Sequence, residues 1–167
     1  MQGASARAQI KALITDFDGV HTDNSVFLDT DGREFVRCSR ADGMGIEMLR
    51  GRGLKLLILS RESDGVVAAR ARKLQMECAH NVKEKLPVLD AWRRRNGLSW
   101  QELAYIGDDI NDLECLEACG FAAAPSNARH EVKAVCQVVL TCAGGDGALR
   151  ELCDHLIERA LVPDIPA

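Results

Sequence analysis

Apolar residues occur along the chain in two spacings, which together predict strands that alternate with helices. The first spacing is a nearly continuous apolar run of strand length, as at residues 54–59 and 103–106. Such runs are typical of parallel strands that are buried on both faces. Strands are predicted at residues 10–14, 54–59, 76–80, 103–106, 121–124 and 137–141.

In the second spacing, apolar residues return every three or four positions, as on one face of a helix. Leu86, Leu89 and Trp92 are an example, and Gly97 ends their run. Helices are predicted at residues 42–50, 64–73, 83–96, 111–118, 131–135 and 148–161. The alternation predicts an α/β fold, a three-layer doubly wound parallel sheet with helices on both faces.

The predicted organisation is a single domain with one small insertion. The 167 residues are enough for one hydrophobic core. We expect a disordered leader at residues 1–9, the folded domain at 10–161 and a tail at 162–167. Two β-prone runs flank a turn that contains Gly32, which would supply a positive φ. They predict a β-hairpin insertion at about residues 25–37.

Charge and hydrophobicity exclude several classes of function. The formal net charge is −4, which gives no basic surface for nucleic acid. No apolar run approaches the length of a membrane span. The polar start of the chain carries no secretory signal, so we expect a cytoplasmic protein. Seven cysteines, an odd number at scattered positions, predict free thiols rather than disulfides.

Polar side chains follow three of the predicted strands. Asp16 and Asp18 follow the first strand, Ser60 follows the next long one, and Asp108 follows the strand at 103–106. The carboxyl ends of parallel strands meet at one edge of a sheet, so these groups should converge there. Side chains alternate along an extended strand, so Asp16 and Asp18 should face the same side. Lys85, at the start of a predicted helix, adds an ammonium group.

Together these residue types indicate phosphate chemistry beside a metal ion. Two close carboxylates repel each other unless a cation or a proton lies between them. A hard divalent cation with oxygen ligands, Mg²⁺, is the simplest choice, and Gly19 lets the chain turn close to it. A hydroxyl, an ammonium group and backbone N–H groups can hold a phosphoryl group. A carboxylate not fully used by the metal can attack phosphorus, and a second carboxylate can move the proton.

The order of these groups resembles the haloacid dehalogenase superfamily, whose motifs are a DxDG strand end, a Ser or Thr strand end, a Lys, and a GDDxxD strand end. Residues 16–19, Ser60, Lys85 and residues 107–112 fill the four motifs in that order. Over nearly the whole chain the resemblance is to 3-deoxy-D-manno-octulosonate 8-phosphate phosphatases. That branch includes phosphatases of nine-carbon acids and domains that follow some acylneuraminate cytidylyltransferases. Further matching stretches are residues 20–23, 31–34, 42–46, 104–106 and 144–151.

The resemblance implies a role for each motif residue. Asp16 would be the nucleophile and a Mg²⁺ ligand, and Asp108 would complete the metal site. Asp18 would act as acid and base and offer its backbone carbonyl to the metal. The residues expected to support this site are Asp109, Asn111 and Asp112. The residues expected to bind the phosphoryl group are Ser60 and Lys85, and the polar loop residues Arg61 and Asp42 are candidate substrate contacts. His21 could contact substrate or be an exposed loop residue.

The implied activity is Mg²⁺-dependent hydrolysis of the phosphate ester of a 2-keto-3-deoxy sugar acid. The candidates are octulosonate 8-phosphate and a nonulosonate (sialic acid) 9-phosphate, which would supply cell-surface polysaccharide such as lipopolysaccharide. Two departures leave the sugar acid open. Asp146 stands where octulosonate phosphatases usually have Arg, and residues 60–62 read Ser-Arg-Glu instead of Thr-Gly-Arg. The second departure is closer to the forms found beside sialic acid synthesis.

The resemblance also implies an assembly. The relatives lack a large cap domain and are tetramers, so we expect a homotetramer in which a neighbouring subunit covers the open site. The alternative is a catalytically weak domain of the same fold that holds a tetramer together beside an acylneuraminate cytidylyltransferase. Asp16 at the nucleophile position favours the enzyme.

Overall fold

The structure is a computed structural model that describes residues 9–63 and 65–165. The predicted leader at residues 1–9, apart from Gln9, lies outside the described residues, and so do the last two residues of the predicted tail. Within the described ranges, no helix has both the length and the apolar character needed to cross a membrane.

Of the eight strands found in residues 9–63 and 65–165, six form one parallel sheet in the order β5-β4-β1-β6-β7-β8. The strands are β1 (Ala12–Thr15), β2 (Phe27–Leu28), β3 (Glu34–Phe35), β4 (Lys55–Leu59), β5 (Glu77–Ala79), β6 (Leu103–Ile106), β7 (Phe121–Ala124) and β8 (Val138–Val139). The first strand lies in the middle, between β4 and β6. The chain winds outward from it in both directions, which confirms the predicted doubly wound sheet.

Helices cover both faces of the sheet. They are α1 (Arg40–Gly51), α2 (Gly65–Leu74), α3 (Lys85–Arg95), α4 (Leu113–Ala118), α5 (His130–Val135) and α6 (Ala148–Glu158), with 3₁₀ turns at Trp100–Glu102 and Ile110–Asp112. Leu13 of β1 packs with α1, α2 and α6, whereas Ala12 and Ile14 pack with α3, α4 and α5. Successive residues of the central strand thus serve opposite layers, because strand side chains alternate. The predicted three-layer architecture is confirmed.

The ends of several elements differ from the predicted ones because capping decides where a helix starts. The first helix begins at Arg40 rather than at residue 42, since the Ser39 side chain accepts hydrogen bonds from the N–H groups of Ala41 and Asp42. The helix predicted from residue 111 starts as the 3₁₀ turn Ile110–Asp112. The last helix ends at Glu158 rather than at residue 161, and Ala160 has a φ of 51°.

The insertion after β1 is the predicted β-hairpin, although its paired strands are shorter than residues 25–37. Phe27 pairs with Phe35, and Gly32 has the expected positive φ of 79°. Four large apolar side chains on this hairpin are more than half exposed: Val26, Phe27, Leu28 and Phe35. The hairpin therefore offers an apolar surface that this chain does not bury.

All seven cysteines are free thiols, as predicted. Cys115 of α4 and Cys119, which follows that helix, are buried in the core that α4 shares with α3 and α5. They act there as small apolar side chains.

Candidate active site

The carboxyl ends of β1, β4 and β6 meet at one edge of the sheet. Thr15 of β1 is in register with Ile58 and Ile106, so the residues that follow each strand emerge side by side. They line a small polar hollow of about 170 Å³. Its lining residues are Asp16, Asp18, Asn24, Ser60, Arg61, Glu62, Asp108, Asp109 and Asn111.

Asp16 and Asp18 reach this hollow through a turn and not along an extended strand. The strand ends at Thr15, and the N–H groups of Val20 and His21 donate to the carbonyl of Phe17. Asp16 and Asp18 line the same hollow, as predicted, but the backbone turns after Phe17 and is not extended between them as the alternation of strand side chains requires. Gly19, at φ 75°, makes the turn possible. A Cβ atom on Gly19 would overlap the carboxylate of Asp108.

Lys85 joins two buried carboxylates beneath the hollow. Its Nζ lies 2.8 Å from Asp16 Oδ1 and 2.7 Å from Asp112 Oδ1. The same Asp16 oxygen accepts a hydrogen bond of 2.7 Å from the N–H of Phe17. Burial alone would lower the pKa of Lys85, but the carboxylates of Asp16 and Asp112 outweigh burial and raise it. Lys85 is thus a fixed positive charge that orients Asp16.

Asp112 fixes the loop that carries Asp108. Its Oδ1 accepts 2.7 Å hydrogen bonds from Lys85 and from the hydroxyl of Tyr105. Its Oδ2 accepts from the N–H of Asp108 at 3.1 Å. A Cβ atom on Gly107 would clash with this side chain. Sequence analysis missed Tyr105, although a hydroxyl within a fully buried strand must find a partner, and that need was the available signal.

The site carries more negative than positive charge. One oxygen each of Asp16, Asp108 and Asp112 lie within 4.8 Å of one another. Burial raises the pKa of Asp16, the charge of Asp112 adds to this rise, and Lys85 opposes it. Burial and Asp112 likewise raise the pKa of Asp108 to about 6. One ammonium group cannot balance three buried carboxylates, so this set of oxygen donors could hold a divalent cation.

Asp18 lines the hollow and is only partly buried. Burial, followed by the negative charges of Glu62 and Glu34, raises the pKa of Asp18 to about 6. Its side chain is not one of the three clustered carboxylates. Asp18 is therefore a carboxyl group that can hold or release a proton near neutral pH.

The loop after β4 forms another wall of the hollow. Ser60 is buried, and its Oγ accepts a hydrogen bond of 3.0 Å from the N–H of Glu62. Arg61 lines the hollow and is exposed. Asp109 and Asn111, which were expected to support the site, line the hollow themselves.

Asp42 does not reach the hollow, and its placement disagrees with the predicted substrate contact. It is fully buried between α1 and α6, where its Oδ1 accepts a hydrogen bond of 2.9 Å from the N–H of Arg150. That N–H lies in the first turn of α6, where helical N–H groups lack a partner within the helix. Asp42 therefore caps a neighbouring helix.

The C-terminal loop packs against the turn that follows Asp16. The N–H of Gly145 donates to the carbonyl of Val20 at 3.1 Å. Asp146 Oδ1 accepts from Arg37 Nη2 at 2.8 Å, and the same nitrogen lies 3.2 Å from Asp23 Oδ2. The acid at position 146 is thus paired with an arginine from the hairpin, a partner that sequence analysis missed.

His21 is neither exposed nor in the hollow, so both of its predicted positions are wrong. It is fully buried, with Nε2 2.8 Å from Thr15 Oγ1, and its ring stacks on Phe17. Burial, helped by the charge of Arg70, lowers the pKa of His21 to about 3. A neutral imidazole therefore packs behind the turn that follows Asp16.

Comparison with known proteins identifies the family. The profile of haloacid dehalogenase-like hydrolases matches residues 61–152, just over half of the chain. The 3-deoxy-D-manno-octulosonate 8-phosphate phosphatase of Haemophilus influenzae is 33% identical over 89% of this chain and 83% of its own length. N-acylneuraminate cytidylyltransferase A of Danio rerio is 31% identical over 89% of this chain but only 35% of its own length. This chain thus spans about a third of the cytidylyltransferase.

Solved structures of similar proteins support the same family. A haloacid dehalogenase (HAD) family hydrolase of Streptomyces avermitilis is 42% identical to this chain. The TM-score is 0.88, and the match covers 92% of this chain and 88% of that one. The octulosonate 8-phosphate phosphatase of Moraxella catarrhalis, in complex with magnesium, phosphate and the sugar acid KDO, is 30% identical, with a TM-score of 0.87 over 89% and 86% of the two chains. The sheet, the converging motif residues and these relatives show that the chain belongs to the haloacid dehalogenase-like hydrolases, among their phosphatases.

Proposed function

We propose that this phosphatase hydrolyses the phosphate ester of a 2-keto-3-deoxy sugar acid, with Mg²⁺, through an aspartyl phosphate on Asp16. The observation that carries the proposal is the position of Asp16. Its carboxylate lies on the wall of an open polar hollow, held by Lys85 and close to the carboxylate of Asp108. A fixed nucleophile beside a candidate cation site is what phosphoryl transfer needs.

In the first step, a carboxylate oxygen of Asp16 attacks phosphorus and the P–O bond to the sugar breaks. Asp18 gives its proton to the leaving alkoxide. In the second step, the Asp18 carboxylate takes a proton from a water whose oxygen attacks phosphorus. Inorganic phosphate leaves, and the Asp16 carboxylate is restored. The Ser60 hydroxyl and the Lys85 ammonium group hold phosphoryl oxygens.

Asp16, Asp108 and the backbone carbonyl of Asp18 would hold the Mg²⁺. Carboxylate and carbonyl oxygens are the donors that this hard cation prefers. The pKa values of Asp16 and Asp108 are raised, and a bound cation would lower them by stabilising the charged carboxylates. When bound, the ion would neutralise charge on the phosphoryl oxygens.

The small volume of the hollow bears on the substrate and the assembly. Pockets that enclose a whole ligand usually have about 300 Å³ or more, whereas this hollow has about 170 Å³. The sugar would therefore extend beyond the hollow. A second copy could cover it, and the exposed apolar hairpin is a suitable surface for such contact. We propose a homotetramer in which a neighbouring subunit acts as the cap.

A substitution on the hairpin tests this assembly. Phe27→Lys places a charge on a side chain that is 67% exposed in the single chain. We expect a smaller particle by light scattering and a higher KM for the sugar acid phosphate, because the neighbouring lid is lost. Thr30→Lys, at the exposed tip of the same hairpin, should leave both unchanged. A wild-type monomer with full activity would contradict the proposal.

The function itself is tested by a substrate screen. Purified protein with Mg²⁺ is given octulosonate 8-phosphate, nonulosonate 9-phosphates and simple sugar phosphates, and phosphate release is measured. We expect kcat/KM for one sugar acid ester to exceed that for simple sugar phosphates by at least about 10²-fold, because a substrate without a carboxylate would leave Arg61, the candidate substrate contact at the hollow, without that partner. Removal of Mg²⁺ with EDTA should stop turnover. A preference for simple sugar phosphates would reject the substrate class but not the chemistry.

The match to cytidylyltransferases favours a second candidate, an assembly domain without useful turnover. The buried cluster argues against this candidate, because assembly alone does not require acidic groups such as Asp16 and Asp108 around a buried Lys85. A wild type that forms the oligomer but releases no phosphate from any ester in the screen would favour this candidate.

The role of Asp18 predicts a specific pH dependence. The pKa of Asp18 is raised to about 6, so its proton is lost as pH rises through about 6. Because the protonated form is needed for the first step, kcat/KM should fall on the alkaline side of that pKa. Asp18→Asn should remove this limb and accumulate the phosphoenzyme with an aryl phosphate, whose leaving group needs no proton.

A neighbouring charge gives the control. Glu34→Gln removes a negative charge that raises the pKa of Asp18 and should move the limb to lower pH. A limb that persists in Asp18→Asn would assign the titration to another group.

A further inference from the structure

Asn24 stands at the wall of the hollow and contacts a proposed metal ligand. Its Nδ2 donates a hydrogen bond of 2.9 Å to Asp108 Oδ2, from a position 84 residues earlier in the chain. The sequence analysis gave Asn24 no role. An exposed asparagine that reaches a buried carboxylate calls for a physical explanation.

The backbone holds the Asn24 amide in place. Asn24 has a φ of 68°, in the left-handed region, which asparagine tolerates better than most residues with a Cβ. Its N–H donates to Thr22 Oγ1 at 3.2 Å, and the same oxygen accepts from the N–H of Gly19 at 3.3 Å. Thr22 is fully buried. The turn that carries the amide is therefore tied to the loop that carries Asp16 and Asp18.

The hydrogen bond between Asn24 and Asp108 also requires that residue 19 is a glycine, which has no side chain. A Cβ atom there would lie 2.8 Å from Asn24 Nδ2 and would overlap Asp108 Oδ2. Gly19 thus leaves the space in which the amide meets the carboxylate. Three residues from two separate loops meet at this point.

We propose that Asn24 is a positioning residue that holds the Asp108 carboxylate in the orientation needed to bind the cation, an inference that rests on the proposed function. The charges of Asp109 and Asp112 repel the Asp108 carboxylate, whereas Asn24 and the carboxyl group of Asp16 each share a hydrogen bond with it. Asp16 is itself a proposed metal ligand, so the neutral amide of Asn24 is the contact that can stay unchanged when the cation binds. The amide fixes one oxygen of Asp108 and limits rotation of the group. It adds no charge that would compete with the cation or with a phosphate. Groups that orient metal ligands in this way contribute strongly to metal affinity.

The test is Mg²⁺ affinity, measured by calorimetry on the whole 167-residue chain without substrate. Asn24→Gly removes the amide side chain, and because glycine readily adopts a positive φ, the backbone need not move. We expect its dissociation constant for Mg²⁺ to rise about tenfold or more. Gln75→Gly is the matched control, since Gln75 is exposed at the end of α2, has a φ of 56°, and does not line the hollow. It should bind Mg²⁺ as the wild type does.

Kinetics then separate positioning from substrate contact. At saturating Mg²⁺, Asn24→Gly should recover the wild-type kcat and the wild-type KM for the ester. Unchanged Mg²⁺ affinity with a raised KM would make Asn24 a substrate contact and overturn the proposal. Tighter Mg²⁺ binding would also overturn it, because the amide would then compete with the cation. A wild type that binds no Mg²⁺ would instead reject the proposed function on which it rests.

Discussion

Asp16→Asn is expected to lower kcat by about 10⁴-fold or more, because an amide oxygen cannot serve as the attacking nucleophile. The substitution keeps the shape of the side chain. The amide oxygen can still accept the hydrogen bonds from the N–H of Phe17 and from Lys85. The fold should therefore persist, and the loss should concern chemistry alone. Phosphate release and circular dichroism on the same samples measure the two effects.

A matched variant separates the chemistry from the loss of one negative charge. Asp154→Asn makes the same change on α6, where the carboxylate pairs with Arg150 away from the hollow. It should leave kcat within about twofold of the wild type, as expected for a surface ion pair. Asp16→Asn should also keep the oligomer mass. Substantial turnover in Asp16→Asn would show that the nucleophile is another group.

Lys85→Met is expected to destabilise the fold by about 3–5 kcal/mol, because it leaves Asp16 and Asp112 buried without their cation. The free energy of unfolding, from urea titration in EDTA, measures the loss. Lys83→Met, two residues earlier and exposed, should change that energy by less than about 0.5 kcal/mol. The double variant Lys85→Met with Asp112→Asn should recover part of the loss, since one unpaired charge is removed.

The same variant should depend on pH in a defined direction. Burial and the charge of Asp112 raise the pKa of Asp16 above its ordinary value. Asp16 therefore takes up its proton at a higher pH in the folded chain than in the unfolded one, and its protonated form needs no cation. The stability lost in Lys85→Met should be greatest above the raised pKa and should shrink as pH falls through it. A loss that does not depend on pH would mean that Lys85 matters for packing and not for charge.

The fold was predictable because its core strands are buried on both faces. The apolar runs at residues 54–59 and 103–106 are typical of central strands in a parallel sheet. The residues that follow such strands emerge at one edge of the sheet. Ser60 and Asp108 could therefore be brought together from sequence alone. Element ends were less predictable, since the start of α1 depends on the capping bond from Ser39.

Residues whose roles depend on distant partners could not be assigned from sequence. Asp42 lies in a polar segment that suggested a substrate contact, but its partner is the N–H of Arg150 in a helix at the other end of the chain. His21 follows the motif directly, yet the turn at Phe17 sends its ring into the core. Asn24 stands next to the motif without any pattern that would mark it. In each case the role depends on a residue that is close in the folded chain, and the local sequence does not identify that residue.

The proposed function depends above all on phosphoryl transfer through Asp16. The most direct test mixes Asp18→Asn with Mg²⁺ and an aryl phosphate, whose leaving group needs no proton from Asp18, and quenches the mixture in acid within one turnover. Mass spectrometry then locates the phosphoryl group on the peptides. We predict a phosphoryl group on Asp16 that persists, because the variant lacks the base that activates water for its hydrolysis. A phosphoryl group on another side chain such as Ser60, or none on the protein while product forms, would contradict it.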